Sequence, residues 1–146
     1  MSKVKLIQAE ETYNLRHRIL RPHMELKDCM YDTDHSDGTF HVGAFVGNQL
    51  VSIASFNIEI HPAFPAKRQY RLRGMATLDE FRNLGTGRKI VSFAEEVIKS
   101  KEADLLWCNA RTTVKEYYYK IGFQTYGDVF DSPSIGPHIV MYKLIK

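Results

Sequence analysis

Residues 82–100 read RNLGTGRKIVSFAEEVIKS, and two signals within them set the fold class. Arg88 to Ser100 carries Ile90, Val91, Ala94, Val97 and Ile98 at helical spacing, an apolar stripe along one side of a helix. Immediately ahead stands Arg82-Asn83-Leu84-Gly85-Thr86-Gly87. Free backbone N–H groups at a helix start, with glycines clearing side chains from the approach, form a cradle for a diphosphate, and the helix dipole favours its negative charge. Arg82 and Arg88 add mobile positive charge. A turn that merely needs two flexible residues is the plain alternative. Ile90 occupies the position where a dinucleotide fold would carry its third glycine, and no Gly-Lys-Ser/Thr ending of a P-loop follows. What is left is R-x-x-G-x-G at the start of a helix.

Outward from this segment, Tyr70 to Leu78 reads as a strand before the loop and Leu105 to Asn109 as a strand after the helix. Strand, helix, strand in that order predicts a parallel pair with a right-handed crossover. Further upstream, Val4 to Ile7 reads as a strand and Glu10 to Leu20 as a helix with Leu15 and Ile19 on one face. Gly47-Asn48 supplies a tight turn between strands at His41 to Val46 and Leu50 to Ile60, and Pro62 and Pro65 make His61 to Ala66 a loop. Downstream come a short helix over Val114 to Lys120 and strands at Gln124 to Phe130 and Ile139 to Ile145. Strands dominate the first half and a βαβ unit the second, which makes the class α/β.

Bulk properties narrow the function. At 146 residues, 44% hydrophobic and 25% charged, the chain has the make-up of one globular domain. The opening MSKVKLIQAEETYNL alternates charge with apolar residues, and no stretch approaches about 18 consecutive apolar residues, so the expectation is a cytoplasmic protein with no membrane partner. Twenty Lys and Arg against 17 Asp and Glu leave +3, scattered in short knots such as Arg16-His17-Arg18, so no nucleic acid partner is expected either. Cys29 and Cys108 stand alone without CxxC spacing, which argues against a metal site or a disulfide scaffold.

A second motif lies near the C-terminal end. In Tyr117-Tyr118-Tyr119-Lys120-Ile121-Gly122-Phe123, Tyr118 stands five residues before the phenylalanine of a Gly-Phe pair. This feature and the R-x-x-G-x-G loop together resemble the GNAT superfamily of N-acetyltransferases. The stretches LRHRILRP (15–22), LRGMATL (72–78), LLWCNAR (105–111) and IGPHIVMYK (135–143) resemble one branch in particular, the glyphosate N-acetyltransferases, along nearly the whole chain. The resemblance implies a single-domain GNAT fold over residues 1–146, with a mixed central β-sheet flanked by helices and a βαβ core that binds coenzyme A. It implies acetyl-CoA as co-substrate, no metal, and direct transfer of acetyl to the amine of a small anionic substrate of the amino acid or amino phosphonate type, glyphosate included. A monomer or a homodimer would suit it equally.

The same resemblance assigns roles. His138 matches the family's catalytic base, aided by the substrate's own acidic group; imidazole, with a pKa near ~6.5, has a neutral form that accepts a proton at physiological pH. On residue type alone His138 would read as a surface histidine. Tyr118 matches the acid that serves the departing thiolate. Tyr117 and Tyr119 diverge from it by roughly 100° on a helix and read as packing aromatics. Arg21, Arg73 and Arg111, with His138, match substrate-binding positions, and guanidinium groups bind carboxylate and phosphonate bidentately. The Met75 N–H would meet the acetyl carbonyl and Thr77 would pair with the pantetheine arm, while Arg82, Asn83, Leu84, Gly85, Thr86, Gly87 and Arg88 would hold the diphosphate. His41, His61, Phe130 and Ser132 are further candidates for the acceptor pocket. Two other readings stay open: a non-catalytic acyl-CoA-binding module, and a protein or peptide acetyltransferase with an open acceptor groove.

Overall fold

The computed structural model describes residues 2–133 and 136–145. Its strands are β1 Ser2–Ile7, β2 Phe40–Val46, β3 Gln49–Ile58, β4 Gln69–Thr77, β5 Leu105–Arg111, β6 Gln124–Ser132 and β7 Gly136–Leu144. They form a single 7-stranded sheet in the order β1-β2-β3-β4-β5-β7-β6. Helices α1 Tyr13–Leu15, α2 Thr86–Ser100 and α3 Lys115–Lys120 complete the frame. The β4–β5 pair is parallel, with α2 as its crossover, and the other pairs are antiparallel.

Two irregularities in this sheet position the site. The β4–β5 ladder holds Gln69–Leu105, Tyr70–Leu106 and Arg71–Trp107 and then stops. Residues 72–77 of β4 and 108–111 of β5 therefore border an opening. The second irregularity is a bulge in β4. Ile53 pairs with Ala76 and Ser55 with Arg73, so the single residue Ala54 faces both Gly74 and Met75. Gly74 takes φ 64, a left-handed conformation that a β-carbon would strain. The bulge resets the alternation of side chains. Tyr70 and Leu72 belong to the core under α2, Met75 packs against that same core, and Ala76 belongs to the core on the other face.

Each face of the sheet has its own core. On one, Ile90, Val91, Ala94 and Ile98 of α2 pack with Tyr118 and Ile121 against Leu106, Cys108, Ala110, Ile139 and Met141. The helical stripe read from the sequence is thus the buried side of α2. On the other, Leu15 packs with Ile7, Val51, Ile53, Ala76 and Leu78, and a smaller cluster joins Leu105, Trp107 and Val140 to Phe64 of the loop after β3.

The helix expected over Glu10 to Leu20 is instead a 3-10 turn at Ala9–Thr12, the short α1, and a π turn at Arg16–Leu20. Arg16 is the physical reason. Its side chain is fully buried, bonded to Asp34 through both terminal nitrogens at 2.8 Å, to the Cys29 carbonyl at 2.8 Å and to Ser55 Oγ at 2.7 Å. A charged group cannot remain in an apolar interior without such partners, so helix geometry yields to the ion pair.

Candidate active site

The loop at 82–87 leads into α2 through two left-handed residues. Gly85 caps α2 from a left-handed conformation, φ 75, and Asn83 is left-handed at φ 68, a region that asparagine tolerates better than most residues. The Arg82 N–H closes a turn onto the Asp79 carbonyl at 3.3 Å. Among the described residues, the next backbone N–H with a backbone acceptor is that of Lys89, onto Gly85 at 3.1 Å. The N–H groups of residues 83–88 between them have no backbone acceptor among the described residues, the arrangement that suits an anion at a helix start. Arg82 pairs with Asp79 at 3.2 Å, and Arg88 ties α2 to α3 through the Lys120 carbonyl at 2.8 Å.

This loop forms one end of a cleft of about 980 Å³ that runs along the opening between β4 and β5. Of the residues singled out from the sequence, Arg21, Arg73, Met75, Thr77, Arg82, Asn83, Gly85, Thr86, Gly87, Arg88, Arg111, Tyr118 and His138 all line it. Leu84 does not; the residue is 55% exposed. Phe130 and Ser132 line the cleft too, whereas His41 is bonded to Ser55 and Asp34, and His61 stacks edge-on against Trp107 away from it.

His138 is the third residue of β7, two past Gly136, and is buried. Its Nδ1 lies 2.8 Å from the Gly136 carbonyl, which can only accept. In a neutral imidazole that contact fixes the proton on Nδ1 and leaves the Nε2 lone pair free. Register places His138 opposite Arg111 on one side and Phe130 on the other, and the Phe130 ring stacks on the imidazole at 6.0 Å.

Tyr118 enters from the other face of the sheet. Its ring packs edge-on against Phe123 and Tyr117, and its hydroxyl makes no hydrogen bond among the described residues. Burial, reinforced by Cys108 and Tyr117, pushes this phenol well above its ordinary pKa and keeps it protonated. Cys108 also lines the cleft, but burial lifts its thiol to about 12, so no thiolate is available there at neutral pH. Among the described residues no group of three or more metal-ligating side chains occurs.

Arg21, Arg73 and Arg111 share a feature beyond their common cleft: each is held by neutral oxygens. Arg21 donates to the Asp28 carbonyl at 2.7 Å, Arg73 to Thr33 Oγ at 3.4 Å and Arg111 to the Leu20 carbonyl at 2.9 Å. No carboxylate pairs with any of them among the described residues, and no Asp or Glu lines the cleft. Burial, then the neighbouring Arg71, lower the pKa of Arg73, the signature of an under-compensated positive charge.

Three contributors escaped the sequence reading. Tyr31 forms a platform, with Arg16, Arg73 and Arg21 at 3.8, 4.2 and 5.4 Å from its ring centre. Arg71, two residues before Arg73 on the same face of β4, lines the cleft while paired with Glu59 at 3.1 Å. Tyr117 packs edge-on against Tyr118 as expected but also lines the cleft, and Tyr119 is exposed. Nothing in the local sequence marks these positions: Tyr31 and Tyr117 reach the cleft because the segment 21–39 and α3 fold back over the sheet, and Arg71 borders it where β4 parts from β5.

A sheet parted between its parallel strands, with a bare helix start and a cleft along the parting, fits the acetyltransferase class. The sequence profile of the Acetyltransferase (GNAT) family matches residues 6–123, and the chain is a member of that family. It is 46% identical over 146 residues to the uncharacterized N-acetyltransferase YitI of Bacillus subtilis strain 168, spanning 100% of this chain and 98% of that protein. Among solved structures it is similar to Escherichia coli ElaA, with TM-score 0.75 and 16% identity over 98% of this chain and 99% of that one. It is also similar to an aminoglycoside 6'-N-acetyltransferase complexed with coenzyme A, with TM-score 0.72 and 14% identity over 99% and 97%. These structural likenesses speak for the fold. Among the described residues no helix is long and apolar enough to cross a membrane.

Proposed function

We propose that this protein transfers acetyl from acetyl-CoA directly to the amine of a small anionic acceptor. The observation that carries the acceptor class is the set of three guanidinium groups, Arg21, Arg73 and Arg111, in a cleft lined by no carboxylate. Cations left without counter-ions in a partly buried site are satisfied by an anionic ligand, and guanidinium is suited to two-point contact with carboxylate or phosphonate. They also disfavour the ammonium form of a nearby amine, and only the neutral amine is nucleophilic. The resemblance to glyphosate N-acetyltransferases supports amino acids and amino phosphonates as acceptors, glyphosate among them.

The chain's own residues divide the chemistry. Acetyl-CoA supplies a thioester whose C–S bond breaks as the N–C bond to the acceptor forms. The N–H groups of residues 83–88, with Arg82 and Arg88, suit the diphosphate, and the exposed β4 edge from Met75 to Thr77 suits the pantetheine amides. His138 Nε2 takes the proton that the amine loses, Nδ1 being held by Gly136. Tyr118 donates to the departing sulfur. A thiol ordinarily titrates near ~8.5, well below this phenol, so the tyrosine acts mainly by hydrogen bonding to the thiolate rather than by complete proton transfer. The high thiol pKa of Cys108 removes the residue that could otherwise carry an acyl intermediate.

The test is thiol release from acetyl-CoA with acidic amino acids, amino phosphonates, glyphosate, neutral amines and a lysine peptide. Turnover should be confined to anionic small molecules. Turnover with the peptide alone would overturn the acceptor class, and coenzyme binding without turnover of any amine would leave a binding module.

A further inference from the structure

Tyr117 presents a hydroxyl to the coenzyme end of the cleft without an adequate partner. From α3 it reaches across to α2 and β4, where its acceptor is Met75 Sδ at 3.7 Å, a thioether and a weak one. Burial raises the pKa of this phenol, so it remains a donor at neutral pH. Beside it lies Gly87, one of the run of residues 83–88 whose N–H groups have no backbone acceptor among the described residues.

Gly87 supplies a second, independent observation. Gly85 needs its left-handed φ of 75, but Gly87 lies inside α2 and is not among the residues of positive φ. Glycine in a helix costs about 0.5–1 kcal/mol relative to alanine, so backbone geometry does not call for it here. Space does: a methyl group on Gly87 would overlap Tyr117 Oη and come within 2.8 Å of its Cζ. The sequence keeps this helix position bare where the phenol needs to sit.

We infer that Tyr117 Oη is a coenzyme-binding donor that completes the diphosphate cradle of residues 82–87 from the α3 side, with Gly87 left bare to admit it. This rests on the reading that acetyl-CoA occupies the cleft. An anionic oxygen at the cradle replaces Met75 Sδ as the acceptor, and the neighbouring Arg88 favours its charge.

Tyr117→Phe removes the hydroxyl alone. Calorimetry should show the affinity for coenzyme A and for dephospho-coenzyme A falling roughly 10- to 100-fold, the worth of a charge-assisted hydrogen bond, with the thermal midpoint unchanged. The KM for acetyl-pantetheine, which lacks the diphosphate, should not move. Equal affinities of wild type and Tyr117→Phe for coenzyme A overturn the inference, and an equal loss with acetyl-pantetheine overturns the diphosphate as the contact. Gly87→Ala gives a separate readout: it should weaken coenzyme binding in the wild-type background and add little to Tyr117→Ala. The same cost in both backgrounds would mean that Gly87 is not bare on account of Tyr117. Wild-type protein that bound no coenzyme A would instead refute the proposed function.

Discussion

His138 and Tyr118 reach a single cleft from opposite faces of the sheet. His138 lies on the face that carries Arg111, its register partner, whereas Tyr118 is part of the core beneath α2. They share a cleft because β4 and β5 part after Arg71 and Trp107. Under the proposed function, a base and a hydrogen-bond donor entering from opposite faces would suit the two ends of a thioester, the attacked carbon and the departing sulfur. His138→Ala should therefore lower kcat by about 100- to 10,000-fold while leaving the coenzyme Kd near wild type. Parallel loss of coenzyme affinity would refute this division of labour.

Tyr118→Phe should lower kcat without destabilising the fold. The ring keeps its edge-on contacts with Phe123 and Tyr117, and the hydroxyl has no hydrogen-bond partner to lose. Turnover and thermal midpoint measured together separate this outcome from a packing defect, which would move both.

Arg73→Gln and Arg111→Gln should raise the acceptor KM about 10-fold or more while the acetyl-CoA KM stays in place. Arg71→Gln should have a smaller effect, because Glu59 already neutralises much of its charge. Acceptor KM should also rise with salt for every variant that retains the guanidinium cluster. A flat salt profile would count against an anionic acceptor.

Acidification should weaken the fold in two stages. Burial lowers the pKa of His41, so the unfolded chain takes up that proton first, and stability should fall as pH drops below the unfolded value of about 6.5. For Asp34, burial acts to raise the pKa but is outweighed by hydrogen bonds from Arg16 and the Tyr31 N–H, which hold it below the ordinary carboxylate value. Its contribution is present above about pH 3.9 and is lost as pH falls through the lower folded value. Urea midpoints across this range should show His41→Gln erasing the first stage. Asp34→Asn, which leaves Arg16 buried beside a neutral partner, should cost about 3–5 kcal/mol at neutral pH.

Thiol reagents supply a check on direct transfer. With its thiol lifted to about 12, Cys108 should resist alkylation at neutral pH, and Cys108→Ala should keep its activity. Loss of activity in Cys108→Ala itself, together with loss of wild-type activity on mild alkylation, would point to an acyl-cysteine route.

Much of the fold was legible because its signals are local. The stripe from Ile90 to Ile98, the glycines at 85 and 87 and the Gly47-Asn48 turn each act within a few residues, and the structure puts α2 and the β2–β3 hairpin where they indicate. The N-terminal helical run was misjudged because Arg16 answers to Asp34, Cys29 and Ser55, partners 13 to 39 residues away. The arginine cluster proposed to hold the acceptor was suggested only through family resemblance. Arg21, Arg73 and Arg111 converge by tertiary folding, and no spacing in the chain encodes that meeting.

The parting of β4 from β5 also bears on how the molecule holds together. Strands β1 to β4 and β5 to β7 touch along a seam of three residue pairs at one end, so elsewhere the two halves of the sheet depend on what bridges them from above and below. A guest laid into that seam would act as a missing strand, and the enzyme would be most fully assembled only while holding one of its own reactants.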